Sequence, residues 1–164
     1  MHASIQATRT VSARIRSLVF ATRSDLAAPV LRVGLAAVLW PHGAQKLLGW
    51  FGGHGFDGTV GFFTQTLGLP APVAWFTILA EFFGPILLLL GLGTRAVAAM
   101  FIGIMVGAIV TVHAGNGFFM NWSGAQPGEG FEYHILVIAL ALALVVRGGG
   151  SLSVDRSIAR TELE

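Results

Sequence analysis

Long apolar runs, separated by short glycine-rich or polar stretches, organise this chain. A helix that crosses a bilayer needs about 20 mostly apolar residues, and residues 26–48, 72–92 and 95–114 meet that length. Residues 131–146 form a shorter run that covers roughly 24 Å at about 1.5 Å per residue, so this helix must stand nearly upright or begin in the interface. A re-entrant segment over residues 135–146 is the alternative. The pattern predicts an all-α protein, a four-helix transmembrane bundle.

The composition supports a membrane location. Of the 164 residues, 54% are hydrophobic and 11% are charged, and the mean hydropathy is +0.75, which is too apolar for a soluble domain of this size. The chain has no cysteine, which excludes thiol redox chemistry and Cys-ligated iron–sulfur or zinc sites within it. Any redox role must therefore borrow its cofactor.

The basic residues are distributed unevenly about the apolar runs. Lys46 is the only base near the side that holds residues 49–71 and 115–130. The positive-inside rule therefore places both termini in the cytoplasm and these two loops outside. This orientation explains the net charge of +2 better than a nucleic-acid partner does. The arginines on the cytoplasmic side are Arg9, Arg14, Arg16, Arg23, Arg95, Arg147, Arg156 and Arg160.

Residues 1–25 form a basic N-terminal segment ahead of the membrane domain, residues 26–147, and a cytoplasmic tail, residues 148–164. The segment lacks the apolar core of a secretory signal, although its Arg- and Ser-rich composition is also compatible with a mitochondrial transit peptide. The helical spacing of Val11, Ile15 and Leu18 favours a short basic helix on an anionic cytoplasmic surface. A solvated tail is equally consistent with it.

The spacing of small residues and prolines predicts how the helices pack. Residues 91–94 connect the second and third runs so briefly that the two helices must be antiparallel neighbours. Pro41 and Pro85 lie inside helices, where each favours a bend. In the third helix a small residue recurs at every fourth position, which predicts close helix–helix packing. These small residues are Ala99, Gly103, Gly107 and Thr111.

Glu81 lies near mid-bilayer, where an unpaired charge costs several kcal/mol. It must be protonated, pair with a base on another helix or face a polar cavity. His42, Gln45 and Lys46 share one face of the first helix, so Lys46 or His42 is the expected partner of Glu81. Alternatively, Lys46 snorkels to the outer interface and His42 binds a carbonyl freed by Pro41.

Most other ionisable groups in the membrane domain fall on the outer side. A metal site is a further hypothesis, but Glu132 and His134 are two apart, which is wrong for one helical face, and we expect no metal. The glycine-rich residues 49–63 have no phosphate-binding pattern. Their aromatic residues predict a short interfacial lid that folds back onto the bundle. The outer polar residues are His54, Asp57, His113, Asn116, Glu132 and His134.

An ordered set of motifs covers most of the chain: HGAQKL, GGHGFDGTVGFF, LGLP, AEFFGPILLLLGLGTR and HAGNGFF. Together they resemble the DoxX family of small bacterial membrane proteins. The resemblance implies a four-helix, multi-pass protein of the bacterial cytoplasmic membrane that associates with oxidoreductases. Gly84–Pro85 departs from the paired glycines expected after Glu81. The family's recurrent polar positions correspond to His42, Gln45, Lys46, Glu81, Arg95, His113 and Asn116.

Three functions are compatible with these residues. The first is a subunit of a membrane redox system that binds a quinone-like ring: His42 or Lys46 hydrogen-bonds a carbonyl, Glu81 relays a proton, and other polar residues bind the ligand. The second is a non-enzymatic scaffold, and the third a small transporter. A quinone site predicts an enclosed cavity that reaches Glu81, whereas a scaffold predicts that Glu81 and Lys46 are tightly paired with no space between them. Whether the chain is catalytic stays open, and so does homo-oligomerisation. The additional ligand-binding candidates are Gln45, His113, Asn116 and His134.

Overall fold

The computed structural model describes residues 19–161 and contains no strand in that range. The predicted N-terminal interfacial helix therefore lies largely outside the described residues. The 3-10 turns are Trp50–Gly52 and Ala114–Asn116, and the π-helical turns are Phe62–Thr66 and Ile109–His113. The α-helices are α1 (Ala27–Leu48), α2 (Gly55–Gly61), α3 (Ala71–Leu90), α4 (Thr94–Ala108), α5 (Glu132–Arg147) and α6 (Val154–Thr161).

The four long helices pack chiefly as two pairs, α1 against α3 and α4 against α5. Their shared core contains Leu35, Leu88, Phe101 and Leu144, all nearly inaccessible to solvent. Left-handed glycines end α1 and α3, because φ is +73° at Gly49 and +64° at Gly91, a conformation that disfavours other residues. The turn after Gly91 makes α3 and α4 antiparallel, as predicted. Both α1 and α3 continue through their internal prolines.

Within residues 19–161, two helices are long and apolar enough to cross a bilayer, namely Ala71–Leu90 and, with its two terminal turns, Thr94–Asn116. The first helix carries Arg32 and Lys46 within its length, and the fourth has only 16 residues. The observed bounds agree with the predicted runs to within a few residues. An all-helical fold is confirmed, whereas the crossing of the membrane by all four helices stays a prediction.

The prediction that the small-residue stripe of α4 packs against another helix is wrong within this chain. All four residues of the stripe are exposed, and a Cβ added at Gly103 or Gly107 meets no atom within 4 Å. The buried face of α4 instead carries Val97, Phe101 and Met105. Small residues mark a surface without side-chain bulk, and only the packing decides what covers it.

A buried polar network joins the chain segments at the end of the bundle that holds residues 21–25 and 148–156, which we call the termini end. Arg32 is 2% exposed and donates to the carbonyls of Leu88 and Leu152. Asp155 is 1% exposed and accepts the backbone N–H groups of Gly93 at 2.6 Å and Thr94 at 2.9 Å. Residues 148–156 are thus packed onto the bundle.

Candidate functional site

A half-open cavity of about 910 Å³ occupies the other half of the bundle, which we call the loop end. All four long helices line it, and residues 52–69 lie over it. Its walls are mainly aliphatic and aromatic, with a small set of polar side chains. These polar residues are His42, Gln45, Lys46, His54, Thr59, Thr77, Glu81, Thr111, His113, Glu129, Tyr133 and His134.

An ion pair between α1 and α3 forms part of the cavity wall. Lys46 Nζ lies 2.5 Å from Glu81 Oε2, and the two side chains are 28% and 6% exposed. The helices can approach this closely because Gly43 has no side chain: a Cβ there would overlap the backbone of Glu81. Lys46 is therefore confirmed as the partner of Glu81. The pair and the cavity coexist, so neither of the two predicted alternatives describes the site alone.

Aromatic and imidazole rings form another part of the cavity lining. The ring of His42 on α1 is 5.8 Å from that of Tyr133 on α5, and the rings of His113 and His134 are 4.1 Å apart. His134 is 6% exposed, and both its Nδ1 atom and the Tyr133 hydroxyl are buried without a hydrogen-bond partner among the described residues. Buried polar atoms normally have partners, so these two are suited to bind a ligand.

The other predicted site residues differ in position. His113 Nδ1 is 2.8 Å from the carbonyl oxygen of Glu129, to which the Asn116 amide also donates at 3.1 Å. Both residues thus tie the second loop to the end of α4, and Asn116 is not among the cavity-lining residues. Arg95, a position implied by the family resemblance, donates to the carbonyls of Ala21 and Val146 at the termini end, away from the cavity.

The first loop folds back over the end of α1, as the glycine-rich sequence predicts. The Thr59 hydroxyl donates to the Lys46 carbonyl at 3.2 Å, and the Gln45 amide donates to the Phe51 carbonyl at 3.2 Å. A Cβ at Gly53 would overlap the backbone of Gln45, so only glycine permits this contact. Four apolar residues of the loop line the cavity, namely Phe62, Phe63, Leu67 and Leu69.

Sequence reasoning missed the participation of Tyr133 and the buried Arg32. Tyr133 is the only tyrosine in the chain and precedes His134 at the start of an apolar run. Arg32 is a charge within the first apolar run, which by itself indicates a buried partner. Among residues 19–161, no group of three or more His, Asp or Glu side chains is arranged to hold a metal ion.

Apolar helices that surround a cavity with a polar wall define the class: a small helical membrane protein with a ligand-sized cavity in one half. The chain matches the DoxX family over residues 27–114, and it belongs to that family. The resemblance inferred from the motifs is thereby confirmed. The match includes α1 to α4 and ends before α5, which supplies Tyr133 and His134.

Two relatives cover most of the chain. It is 32% identical over 126 residues to the protein named "Putative oxidoreductase CatD" of Bacillus subtilis (strain 168), which covers 77% of this chain and 82% of CatD. It is 30% identical over 132 residues to "Inner membrane protein YphA" of Escherichia coli (strain K12), with coverage of 77% and 86%. No solved structure gives a significant match. Family membership establishes a membrane protein whose environment is the lipid bilayer.

Proposed function

We propose that this protein is a quinone-binding subunit or partner of a membrane-associated oxidoreductase system in the bacterial inner membrane. In this proposal α1, α3, α4 and α5 form a four-helix transmembrane bundle, both termini are cytoplasmic, and the cavity lies in the outer half. The names of two relatives support the redox association and the inner-membrane location, because CatD is named as a "putative oxidoreductase" and YphA as an inner membrane protein.

The cavity is the observation that carries the proposal. Its volume of about 910 Å³ falls within the range of about 300–1,000 Å³ typical of ligand sites, which combine apolar walls with a few polar groups. A quinone has the matching chemistry, since it is a flat apolar ring with two carbonyl acceptors. His42 and Lys46 supply hydrogen-bond donors on the cavity wall.

Quinone reduction takes up two electrons and two protons and yields a quinol. The electrons come from the partner oxidoreductase, since this chain has no cysteine to hold an iron–sulfur cluster. The Lys46 ammonium stabilises negative charge that develops at a carbonyl oxygen. Glu81, hydrogen-bonded to Lys46, relays the two protons one at a time from water to the quinone oxygens. His42, Gln45, His113 and His134 position the ring, while Asn116 acts indirectly by holding the second loop in place.

Purification in mild detergent, followed by extraction and chromatography of bound small molecules, tests the proposal. We expect a quinone to copurify with the wild-type protein and to be lost from Glu81→Gln and His42→Ala. Asp57→Asn and Gln65→Ala are the controls, because each removes an exposed polar group that does not line the cavity. Absence of quinone from the wild type, together with unchanged activity of both cavity variants in cells, contradicts the proposal.

The exposed stripe of α4 favours a second candidate, a non-enzymatic scaffold whose stripe packs against a helix of a partner protein. In that case membrane proteins copurify with the wild type and with His42→Ala equally, and Gly103→Leu releases them. Retention of the partner by Gly103→Leu contradicts the scaffold.

A further inference from the structure

We infer that the cavity takes a quinone carrying a long hydrocarbon chain, which enters sideways from the bilayer between α3 and α4 and lays its chain along the small-residue stripe of α4. This inference rests on the proposed function and names the ligand class more closely: a membrane-dissolved quinone, as opposed to a small water-soluble one.

Both α3 and α4 line the cavity beyond the point where they touch. The helices touch where a Cβ at Gly84 would lie 2.8 Å from Cζ of Phe101. On the loop-end side of this contact, Phe76 and Thr77 on α3 and Ala108 on α4 line the cavity. The cavity therefore reaches both helices, and its side opening is inferred to lie between them.

The small-residue stripe of α4 gives the position of this opening. All four residues of the α4 stripe both line the cavity and are exposed, so the stripe is the open edge. Gly103 and Gly107 lie about 14 and 20 Å from the start of the apolar helix Thr94–Asn116. The hydrocarbon core of a bilayer is about 30 Å thick. The opening therefore faces lipid chains, and the missing side chains leave a groove for a hydrocarbon.

Buried polar groups line the same cavity as the stripe. His134 is 94% buried, since its exposed fraction is 6%, and its Nδ1 atom has no hydrogen-bond partner among the described residues. The Lys46–Glu81 pair also lines this cavity. A partner helix seated on the stripe would leave the His134 Nδ1 atom without a hydrogen bond. A molecule with a polar ring and an apolar chain would instead bond the buried polar groups and cover the stripe.

The test compares two quinones with the same ring, one with a short side chain and one with a long isoprenoid chain, bound to the protein in lipid nanodiscs. We expect Gly103→Leu and Gly107→Leu to weaken the long-chain quinone about tenfold and to change the short-chain quinone by less than about twofold. Val106→Leu is the control, since Val106 is exposed on α4 but does not line the cavity.

A second measurement guards against misfolding of the leucine variants. The chain has no native cysteine, so Ala99→Cys introduces a single thiol into the stripe, and the long-chain quinone should slow its modification by a membrane-permeant maleimide. Three results would overturn the inference. The leucine variants could weaken both quinones equally, or they could change neither quinone while the thiol stays unprotected. They could also change the oligomeric state and leave quinone binding unchanged. Failure of both quinones to bind the wild type refutes the proposed function itself.

Discussion

Two glycines of α1 differ only in what surrounds them. A Cβ at Gly43 would overlap the backbone of Glu81, whereas a Cβ at Gly34 meets nothing within 4 Å. Backbone contact at Gly43 brings α1 and α3 together where Lys46 must reach Glu81. The candidate site therefore depends on a residue that has no functional group.

Gly43→Ala should force α1 and α3 apart and lower the free energy of unfolding by about 1–3 kcal/mol, as overpacking does. Gly34→Ala should be neutral or should stabilise the helix by about 0.5–1 kcal/mol. Unfolding in detergent with increasing sodium dodecyl sulfate measures both. Equal stabilities of the two variants contradict the close contact.

Asp25 precedes α1 and titrates outside the membrane-spanning segments. The Ala28 backbone N–H, which donates to Asp25 Oδ1 at 2.9 Å, and Arg147, 3.2 Å from Oδ2, lower the pKa of this carboxyl below its usual 3.8. A lowered folded-state pKa means that the unfolded chain binds the proton more readily. The stabilisation is therefore present above about pH 4 and is lost as the pH falls through the folded-state pKa.

We accordingly expect the unfolding temperature of the wild type to fall as the pH is lowered below about 4. Asp25→Asn should be less stable than the wild type at pH 7. Its unfolding temperature should also change less than that of the wild type below about pH 4. Thermal unfolding in detergent from pH 7 to pH 3 measures this. Asp57→Asn, which removes an exposed carboxylate, should keep the wild-type slope. A steep slope retained by Asp25→Asn contradicts the assignment.

At the scale of elements, the first turn of α6 acts as a clasp on the α3–α4 turn. The carboxylate of Asp155 accepts two N–H groups at the start of α4, where negative charge also interacts favourably with the helix dipole. Its own N–H donates to the Gly91 carbonyl at 3.0 Å. The clasp therefore holds the α3–α4 turn at the termini end, away from the cavity.

Asp155→Ala leaves the amides of Gly93 and Thr94 without their acceptor and should cost about 1–3 kcal/mol of stability. Faster hydrogen exchange at these amides and faster tryptic cleavage at Arg156 are the expected results. Leu152→Ala is the matched control, because Leu152 is 70% exposed and keeps its carbonyl for Arg32. Unchanged exchange in Asp155→Ala shows that the clasp does not hold the turn.

At the scale of the whole molecule, the two ends of the bundle should face opposite sides of the membrane. Single cysteines in this cysteine-free chain can test that directly. Ser123→Cys, in the exposed second loop, should react with a membrane-impermeant maleimide in intact spheroplasts, whereas Leu152→Cys should react only after permeabilisation. The reverse pattern contradicts the proposed orientation, and labelling of both before permeabilisation contradicts the proposed topology.

Local patterns determined much of this molecule in advance. The apolar runs predicted the long helices, because the length and spacing of apolar residues along the sequence indicate which segments form buried helices. The i, i+4 spacing placed His42 and Lys46 on one face, and the isolated charge of Glu81 required a partner. Such features depend on near neighbours in sequence, so a sequence alone contains them.

Tertiary structure decided what no local pattern could. The four small residues of α4 predict packing, but whether a helix, a lipid or a cavity lies against them depends on how far α3 and α4 separate. Tyr133 and His134 join the site only because α5 returns beside α4, and Asp155 matters only where its segment meets the α3–α4 turn. Residues far apart in sequence gain these contacts through packing, and packing is a property of the whole chain.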